Sequence, residues 1–198
     1  SDAFSIGAAY APKMKMGKFD KYRGLFAEAG GFDIPSHYSI GVAFMPTPAW
    51  TVALDFGRIN YSDVASVGNA SLPQGQLGAA NGPGFGWKDI NVFKIGAAWR
   101  MSDALTLRAG YNKGDNPIRA ADVTFNILPP GVKKDHYTAG FTWALDKDSE
   151  ISGALMVAPR QTVSGPSLFN SLFGPGAGGS ETIGMKQTSI GLAWGRKF

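Results

Sequence analysis

The sequence contains no cysteine among its 198 residues, so a disulfide framework and thiolate metal sites are excluded. Its two histidines, His37 and His136, lie too far apart in the chain to form a local pair of metal ligands. No nucleophile, base and carboxylate occur in a pattern that indicates a catalytic site. We therefore expect no metal, no cofactor and no enzymatic activity.

Long apolar runs are also missing. No stretch of about 18 apolar residues occurs, which excludes a transmembrane helix. The first residues, Ser-Asp-Ala-Phe-Ser-Ile, have neither the basic region nor the apolar core of a signal peptide. We therefore expect the sequence to start in a mature chain or inside a longer one.

Charged residues are scarce at 17%, against roughly 25% in an average soluble domain, whereas apolar residues make up 44%. This balance excludes disorder and argues against a fully hydrated surface. Glycine is abundant, with 27 residues, or about twice its usual share, alongside 12% aromatic residues. Such a composition is typical of many short strands joined by turns.

Apolar residues alternate with small or polar ones in eight windows, as the side chains of a β-strand do. In the clearest window, Tyr137, Ala139, Phe141, Trp143 and Leu145 share one face. We predict eight strands, near residues 3–16, 35–46, 49–61, 89–101, 104–114, 134–146, 149–160 and 184–198.

The connections between these strands alternate in length. Short turns at 47–48, 102–103 and 147–148 separate the long connections, which lie near residues 17–34, 62–88, 115–133 and 161–183. All tight turns then lie at one end of the sheet and all long loops at the other. This arrangement predicts an all-β, antiparallel, up-and-down barrel that occupies residues 1–198 as one domain.

The large apolar residues share one face of the predicted strands, whereas Asp55, Lys94, Arg108 and Glu150 lie on the small, polar face. An apolar exterior with Trp and Tyr near the strand ends is typical of a transmembrane β-barrel of the bacterial outer membrane. The alternative is a soluble barrel or sandwich whose core resembles a lipid face. Buried charge on four separate strands would be costly there.

The formal net charge is +4, and the excess of basic residues lies at the long-loop end. A basic rim attracts lipopolysaccharide phosphates or steers a carboxylate ligand, and a solvated rim without a ligand is the simpler alternative. Nucleic acid is not expected as a partner, because the basic residues are spread over several loops.

Phe19, Tyr22, Leu25 and Phe26 fall at helical spacing in the first long connection, which predicts a short amphipathic helix with an exposed apolar stripe. We favour capture of a hydrophobic ligand there over packing of these residues on one another. In the fourth connection both interpretations stay open for a similar set, Leu168, Phe169, Leu172 and Phe173.

Trp87, Lys88 and Asp115 belong to segments that meet at the long-loop end of two adjacent strands. They are candidates for a gate or for a site that holds a ligand carboxylate by charge-assisted hydrogen bonds. Ordinary turn chemistry, with Lys88 and Asp89 as a rim pair, is the alternative.

In their order and spacing, several segments resemble the FadL-type outer-membrane transporters of long-chain fatty acids and hydrocarbons. The segments are Phe-Asp-Lys-Tyr at 19–22, Gly-Phe-Asp-Ile-Pro at 31–35, Asp55 with Ile59 and Tyr61, Gly-Trp-Lys-Asp at 86–89, Leu-Arg-Ala-Gly-Tyr at 107–111 and Asp-Asn-Pro-Ile at 115–118. The final strand, which ends on Phe198, resembles the assembly signal of outer-membrane proteins, although Arg196 departs from it.

The resemblance implies a barrel of fourteen strands with an internal hatch, of which this chain matches the last eight strands. It also implies that residues 17–33 help to build an external apolar groove, and that Trp87, Lys88 and Asp115 lie near an inner ligand pocket. Inward residues are mostly small, which suits a barrel wider than eight strands. The missing N-terminal part of the barrel, or other chains, are therefore expected partners.

We expect passive uptake of hydrophobic molecules such as long-chain fatty acids, in contact with outer-membrane lipid and lipopolysaccharide. The alternative is an eight-stranded structural or adhesion barrel that transports nothing.

Overall fold

The computed structural model describes residues 3–72 and 75–197. Eight strands form one antiparallel sheet in which each strand pairs with its neighbours in the chain, in the order β1 to β8. The all-β, up-and-down prediction is confirmed. The strands are β1 (Phe4–Ala11), β2 (His37–Thr47), β3 (Trp50–Ile59), β4 (Ile90–Arg100), β5 (Leu105–Gly114), β6 (Asp135–Ala144), β7 (Ser149–Pro166) and β8 (Ser180–Arg196).

The long connections are loop 1 (residues 12–36), loop 2 (60–89), loop 3 (115–134) and loop 4 (167–179). They share one end of the sheet, and short turns occupy the other. In their described residues, the loops contain three short α-helices and four 3-10 turns. These are α1 (Ala27–Gly30), α2 (Ala65–Gly68), α3 (Phe169–Phe173), and the 3-10 turns Asp20–Tyr22, Tyr61–Asp63, Ala120–Asp122 and Phe125–Ile127. In the described part of the chain, no helix has the length and apolarity needed to cross a membrane.

Cross-strand register separates the two faces as the alternation predicts. Leu54 lies opposite Ile95, and Ile95 lies opposite Tyr111, so large apolar side chains form continuous rows on one face. On the other face, Asp55 lies opposite Lys94. A one-residue slip would exchange the faces of a strand, so this register is what keeps the apolar surface continuous.

Aromatic side chains on the apolar face gather near both ends of the strands. At the short-turn end, the rings of Trp50 and Trp99 stack with centroids 5.5 Å apart. Nearer the long loops, the rings of Tyr111 and Tyr137 lie 5.1 Å apart. Two aromatic belts that flank an apolar band are the pattern of a membrane-spanning barrel wall.

The hairpin of β7 and β8 extends farther than the sequence predicts. Pairing resumes after a bulge between Ala158 and Gln161 and continues to Pro166 opposite Ser180, so the fourth loop covers 167–179 instead of 161–183. Val163 packs on the core of the long loops, which explains why this polar segment stays in the sheet. Phe198, the terminal aromatic of the predicted last strand, lies outside the described residues.

The sheet is open. Among residues 3–72 and 75–197, β1 pairs only with β2 and β8 pairs only with β7. In the described part of the chain, the buried apolar cluster lies at the long-loop end, because one face of the sheet exposes its large apolar side chains and the other forms an open trough. This core contains Ile118, Val123, Val132 and Ile183, with Trp87, Val163 and Met185 packed against it.

Candidate functional site

Four phenylalanines from two long loops form an aromatic cluster at the long-loop end. Phe19, Phe26 and Phe32 belong to loop 1, and Phe85 belongs to loop 2. The ring centroids of Phe26 and Phe32 are 5.3 Å apart, and the centroid of Phe85 lies 6.4 Å from that of Phe26. Tilted and edge-on contacts at these distances are favourable beyond the burial of apolar area. The cluster therefore joins loop 1 to loop 2.

Loop 1 folds as a series of tight turns, not as the single amphipathic helix predicted from its spacing. The 3-10 turn Asp20–Tyr22 precedes α1, in which Glu28 and Ala29 both have a φ of 57°. Left-handed backbone costs about 1–2 kcal/mol for each such residue. Loop 2 helps to hold this backbone, because the Ala29 N–H donates to the Gly78 carbonyl oxygen at 2.8 Å. Contacts between loops, and not helix periodicity, therefore order the apolar side chains of loop 1.

Gly30 permits this turn, since its φ is +94° and an added Cβ would lie 2.6 Å from the Phe19 carbonyl oxygen. We expect Gly30→Ala to disrupt loop 1 at a cost of about 1–3 kcal/mol. Gly24→Ala is the matched control, because no atom lies within 4 Å of its added Cβ. Trypsin digestion after Lys21 and Arg23 measures the difference. Equal cleavage of the two variants would contradict the structure of the turn.

The structure brings the four predicted ligand-binding residues of loop 1 into one surface. The Phe26 ring lies 6.2 Å from both the Phe19 and the Tyr22 rings. Phe19, Tyr22 and Leu25 are 49%, 56% and 37% exposed, whereas Phe26 is half-buried. Apolar side chains on loops that face water form a candidate binding surface.

A narrow apolar crevice opens where loops 1, 2 and 3 meet. It is lined in part by Leu25, Phe26, Phe85, Phe125 and Leu128. Its free volume is about 10 Å³, which is about the space of one water molecule. A hydrocarbon can therefore enter only if these side chains move apart. Leu128, which is 73% exposed, is free to do so.

The tip of loop 4 presents a second apolar surface on α3. The rings of Phe169 and Phe173 stack with centroids 6.0 Å apart, yet these residues remain 47% and 74% exposed. Asn170 fixes the turn by accepting from the Gly178 N–H at 2.8 Å and donating to the Gly179 carbonyl oxygen at 2.6 Å. The rings therefore pack on each other, as one interpretation of this loop requires, and also stay open to a ligand, as the other requires.

The segments that carry Trp87, Lys88 and Asp115 meet as predicted, since the Lys88 N–H donates to the Pro117 carbonyl oxygen at 3.1 Å. The Asp115 carboxylate accepts a hydrogen bond from the Asn91 N–H at 2.9 Å, and it therefore binds the backbone at the start of β4. The exposed Lys88 is in neither of the ion pairs found among the described residues.

Trp87 is partly buried and packs against the core of the long loops. Its indole N–H donates to the Asn126 side-chain oxygen at 2.5 Å, and its ring meets the Tyr61 ring edge-on at 4.9 Å. Burial raises the pKa of the Tyr61 hydroxyl. Trp87 therefore supports the packing between loops 2 and 3.

Two buried polar residues of loop 3, Asp122 and Asn126, were not indicated by the sequence. Asp122 accepts from the Ser71 N–H at 2.7 Å and from the Ser71 hydroxyl at 2.8 Å. Asn126 donates to the Phe85 carbonyl oxygen at 2.6 Å. Both residues join loop 3 to loop 2 across more than 40 positions of the chain, and no local pattern signals such contacts.

The polar face of the sheet forms a trough of about 820 Å³, with small residues such as Gly96, Gly110 and Gly140 in its wall. Lys94 lies opposite Asn112 in the register, and Asn112 lies opposite His136. Within the described residues, the Asn112 side-chain oxygen and His136 Nδ1 are buried without a hydrogen-bond partner. Buried polar atoms of this kind normally have partners.

Comparison with known protein families identifies the chain. The model of the family described as "Outer membrane protein transport protein (OMPP1/FadL/TodX)" matches residues 1–164. The chain belongs to this family. The resemblance stated from the sequence is confirmed, and so is the location in the bacterial outer membrane. None of the curated proteins compared with the chain matches it.

Solved structures show the same fold for this FadL/TodX-family chain. The Pseudomonas putida toluene transporter TodX superposes with a TM-score of 0.61 at 21% identity, over 100% of this chain and 46% of TodX. The monoaromatic hydrocarbon channel CymD superposes with a TM-score of 0.61 at 15% identity, over 100% of this chain and 48% of CymD. The chain therefore spans about half the length of these proteins.

A network of hydrogen bonds fixes the rim between β3 and loop 2 of the FadL/TodX-family chain. Arg58 pairs with Asp89 at 3.1 Å, and Asp89 also accepts from the Ser62 N–H at 3.0 Å and from the Ser62 hydroxyl at 2.8 Å. Burial alone would raise the pKa of Asp89, but the hydrogen bonds from Ser62 and the charge of Arg58 hold it below its ordinary value. The carboxylate therefore stays ionised and anchors loop 2 near neutral pH.

Proposed function

We propose that the chain forms part of an outer-membrane channel for the passive uptake of hydrophobic molecules. The observation that carries the proposal is the exposed apolar surface of loop 1, which stands beside a crevice at the end of a membrane-spanning sheet. TodX and CymD are described as a toluene transporter and a monoaromatic hydrocarbon channel. Small aromatic hydrocarbons and long-chain fatty acids are therefore the two ligand classes to compare.

Capture would begin on Phe19, Tyr22, Leu25 and Phe26. Each square ångström of apolar ligand surface removed from water contributes roughly 25 cal/mol, so burial against these side chains favours binding without nucleotide, metal or chemical reaction. We infer from this that the protein is not an enzyme. Movement of Leu25 and Leu128 would widen the crevice beneath the captured ligand.

The roles of Trp87, Lys88 and Asp115 differ from one another in this proposal. Trp87 and Asp115 act through the packing and closure of loops 2 and 3, because their polar atoms already have partners. Lys88 is exposed and therefore suits a contact with the carboxylate of a fatty acid. A toluene-like ligand would make no use of Lys88.

We also propose that strands from outside these 198 residues complete the barrel. Three observations support this: the open edges of β1 and β8, the small residues on the trough wall, and the match to about half of TodX. An eight-stranded barrel is just wide enough for its side chains to fill, so it would leave no path for a hydrocarbon.

The test compares two leucines that are similarly exposed on the long loops. Leu25 (37% exposed) lines the crevice, whereas Leu72 (41% exposed) does not. In cells that produce the complete protein, we expect Leu25→Ser to lower the uptake of labelled toluene or oleate at least threefold, because a polar hydroxyl replaces apolar contact area. Leu72→Ser should leave uptake unchanged.

The comparison of the two ligands assigns the substrate class. If Leu25→Ser lowers the uptake of only one of them, that ligand represents the substrate class. Equal uptake by cells with and without the protein would overturn the transport proposal and favour the structural or adhesion barrel. Equal losses of uptake in Leu25→Ser and Leu72→Ser would show that the surface of loop 1 has no particular role in transport.

A further inference from the structure

Charged residues form a row on the lipid-facing side of the sheet, one step beyond the aromatic belt. Tyr111, Tyr137, Val157 and Thr188 are successive partners across β5 to β8. Two residues nearer the long loops, the same face carries a row of polar and charged groups. These are Lys113, Asp135, the bulge of β7 with Arg160, and Lys186.

The bulge is held in one shape by a lysine of loop 3. The Lys133 ammonium donates to the carbonyl oxygens of Ala158 at 2.9 Å, Pro159 at 2.7 Å and Met185 at 2.6 Å. Burial lowers the pKa of Lys133. Because these three bonds join both strands of the hairpin, they fix the direction in which Arg160 leaves the bulge.

Arg160 extends over Gly184 on the lipid-facing side. A Cβ added to Gly184 would lie 3.4 Å from Arg160 Nη2, so the guanidinium covers the position that a side chain would occupy. Lys186 follows on the same face of β8, and farther along that face lie Ile190 and Leu192, which are 75% and 79% exposed. Two cations therefore stand directly above an apolar surface.

None of these cations forms an ion pair with an acidic side chain within the described residues. The two ion pairs found there are Lys13–Asp33 and Arg58–Asp89, and neither includes Lys113, Arg160 or Lys186. Asp135 is the one acidic residue of the row, and one of its oxygens accepts from the Tyr111 hydroxyl at 2.6 Å. The row therefore has a net positive charge.

We propose that Arg160 and Lys186, with Lys113 beside them, bind the phosphate of an outer-leaflet lipid, namely the phosphorylated lipid A head group of lipopolysaccharide. Longer loops lie on the extracellular side in outer-membrane barrels, which places this row at the level of the outer head groups. The guanidinium and ammonium groups suit charge-assisted hydrogen bonds to phosphate, while Ile190 and Leu192 face the acyl chains. The proposal rests on the membrane location and not on transport.

The test measures the binding of lipid A to the detergent-purified protein by native mass spectrometry. We expect Arg160→Gln with Lys186→Gln to weaken binding of diphosphorylated lipid A about twenty-five-fold, because each cation near an anionic lipid surface contributes about fivefold. Lys147→Gln, which removes one positive charge at the short-turn end, is the matched control for Lys186→Gln alone and should bind as the unchanged protein does. Lipid A without phosphates should show no difference among the variants.

If the double variant fails to fold, Lys186→Gln alone carries the test with an expected loss of about fivefold. Equal binding by the variant and the unchanged protein would overturn the proposal. An equal loss in the Lys147→Gln control would also overturn it, since net charge would then explain the effect. Displacement of lipid A by millimolar inorganic phosphate would assign the row to free phosphate instead of a lipid.

Discussion

Replacing Leu54 by arginine should lower the free energy of unfolding by about 2–4 kcal/mol, the cost of a cation at the middle of a barrel's lipid face. Leu54 lies midway along β3, between Val42 and Ile95 in the apolar row, and is 49% exposed. An arginine there would have to place its charge in hydrocarbon. Urea unfolding of the protein in lipid vesicles, followed by tryptophan fluorescence, measures the change.

The neighbouring residue provides the control, because successive residues of a strand face opposite sides. Ala53 lies opposite Gly96 on the trough side, so Ala53→Arg puts the same charge at the same depth where water and polar groups are accessible. We expect a loss well below that of Leu54→Arg. A larger loss in Ala53→Arg would reverse the assignment of the faces and favour the soluble barrel.

Strands and faces were predictable because they depend on local alternation. The window from Tyr137 to Leu145 shows its period within nine residues, and the register places those side chains on one face across three strands. Charge marked the inner face, since Asp55 and Lys94 occupy positions that lipid would exclude. Neither inference needed contacts between distant parts of the chain.

Loop structure was not predictable in the same way. Loop 1 departs from helix because Ala29 and Gly30 adopt positive φ values that contacts with loop 2 and with Phe19 support. Asp122 is buried against Ser71, which lies 51 positions away in the sequence. Such pairings leave no signal within a window of ten or fifteen residues.

The candidate site lies between these cases. The stripe of Phe19, Tyr22 and Phe26 was visible from its spacing, and the structure does bring these rings together. Its position beside Phe85 and Leu128 depends on the packing of three loops. The apolar content of the site could therefore be predicted, but the shape of the crevice could not.

The open edges of the sheet have an energetic consequence in a membrane. Each unsatisfied backbone N–H or C=O in hydrocarbon costs several kcal/mol, and strands with free edges therefore do not persist there. Within the described residues, the outer edges of β1 and β8 have no partner strand. Completion by further strands removes this cost, and pairing of β1 with β8 would also remove it.

Hydrogen exchange distinguishes completion by further strands from pairing of β1 with β8. The measurement uses the 198-residue chain, kept monomeric in detergent. In antiparallel strands successive N–H groups point to opposite neighbours. We therefore expect alternate amides of β1 from Ser5 onward, and of β8, to exchange at nearly the rate of an unfolded chain. Amides of β4 and β5, which have partner strands on both sides, should exchange roughly a thousandfold more slowly than these edge amides.

Pairing between the edges of different copies would protect the same amides as pairing of β1 with β8 within one copy. Repeating the measurement at lower protein concentration separates the two cases. If protection disappears on dilution and the mass of the assembly falls, the edges of β1 and β8 pair with strands from outside this chain. Protection of both edges at the mass of one chain would show that β1 pairs with β8. An eight-stranded barrel filled by its own side chains would then leave no path for a hydrocarbon, and the structural or adhesion function would replace uptake.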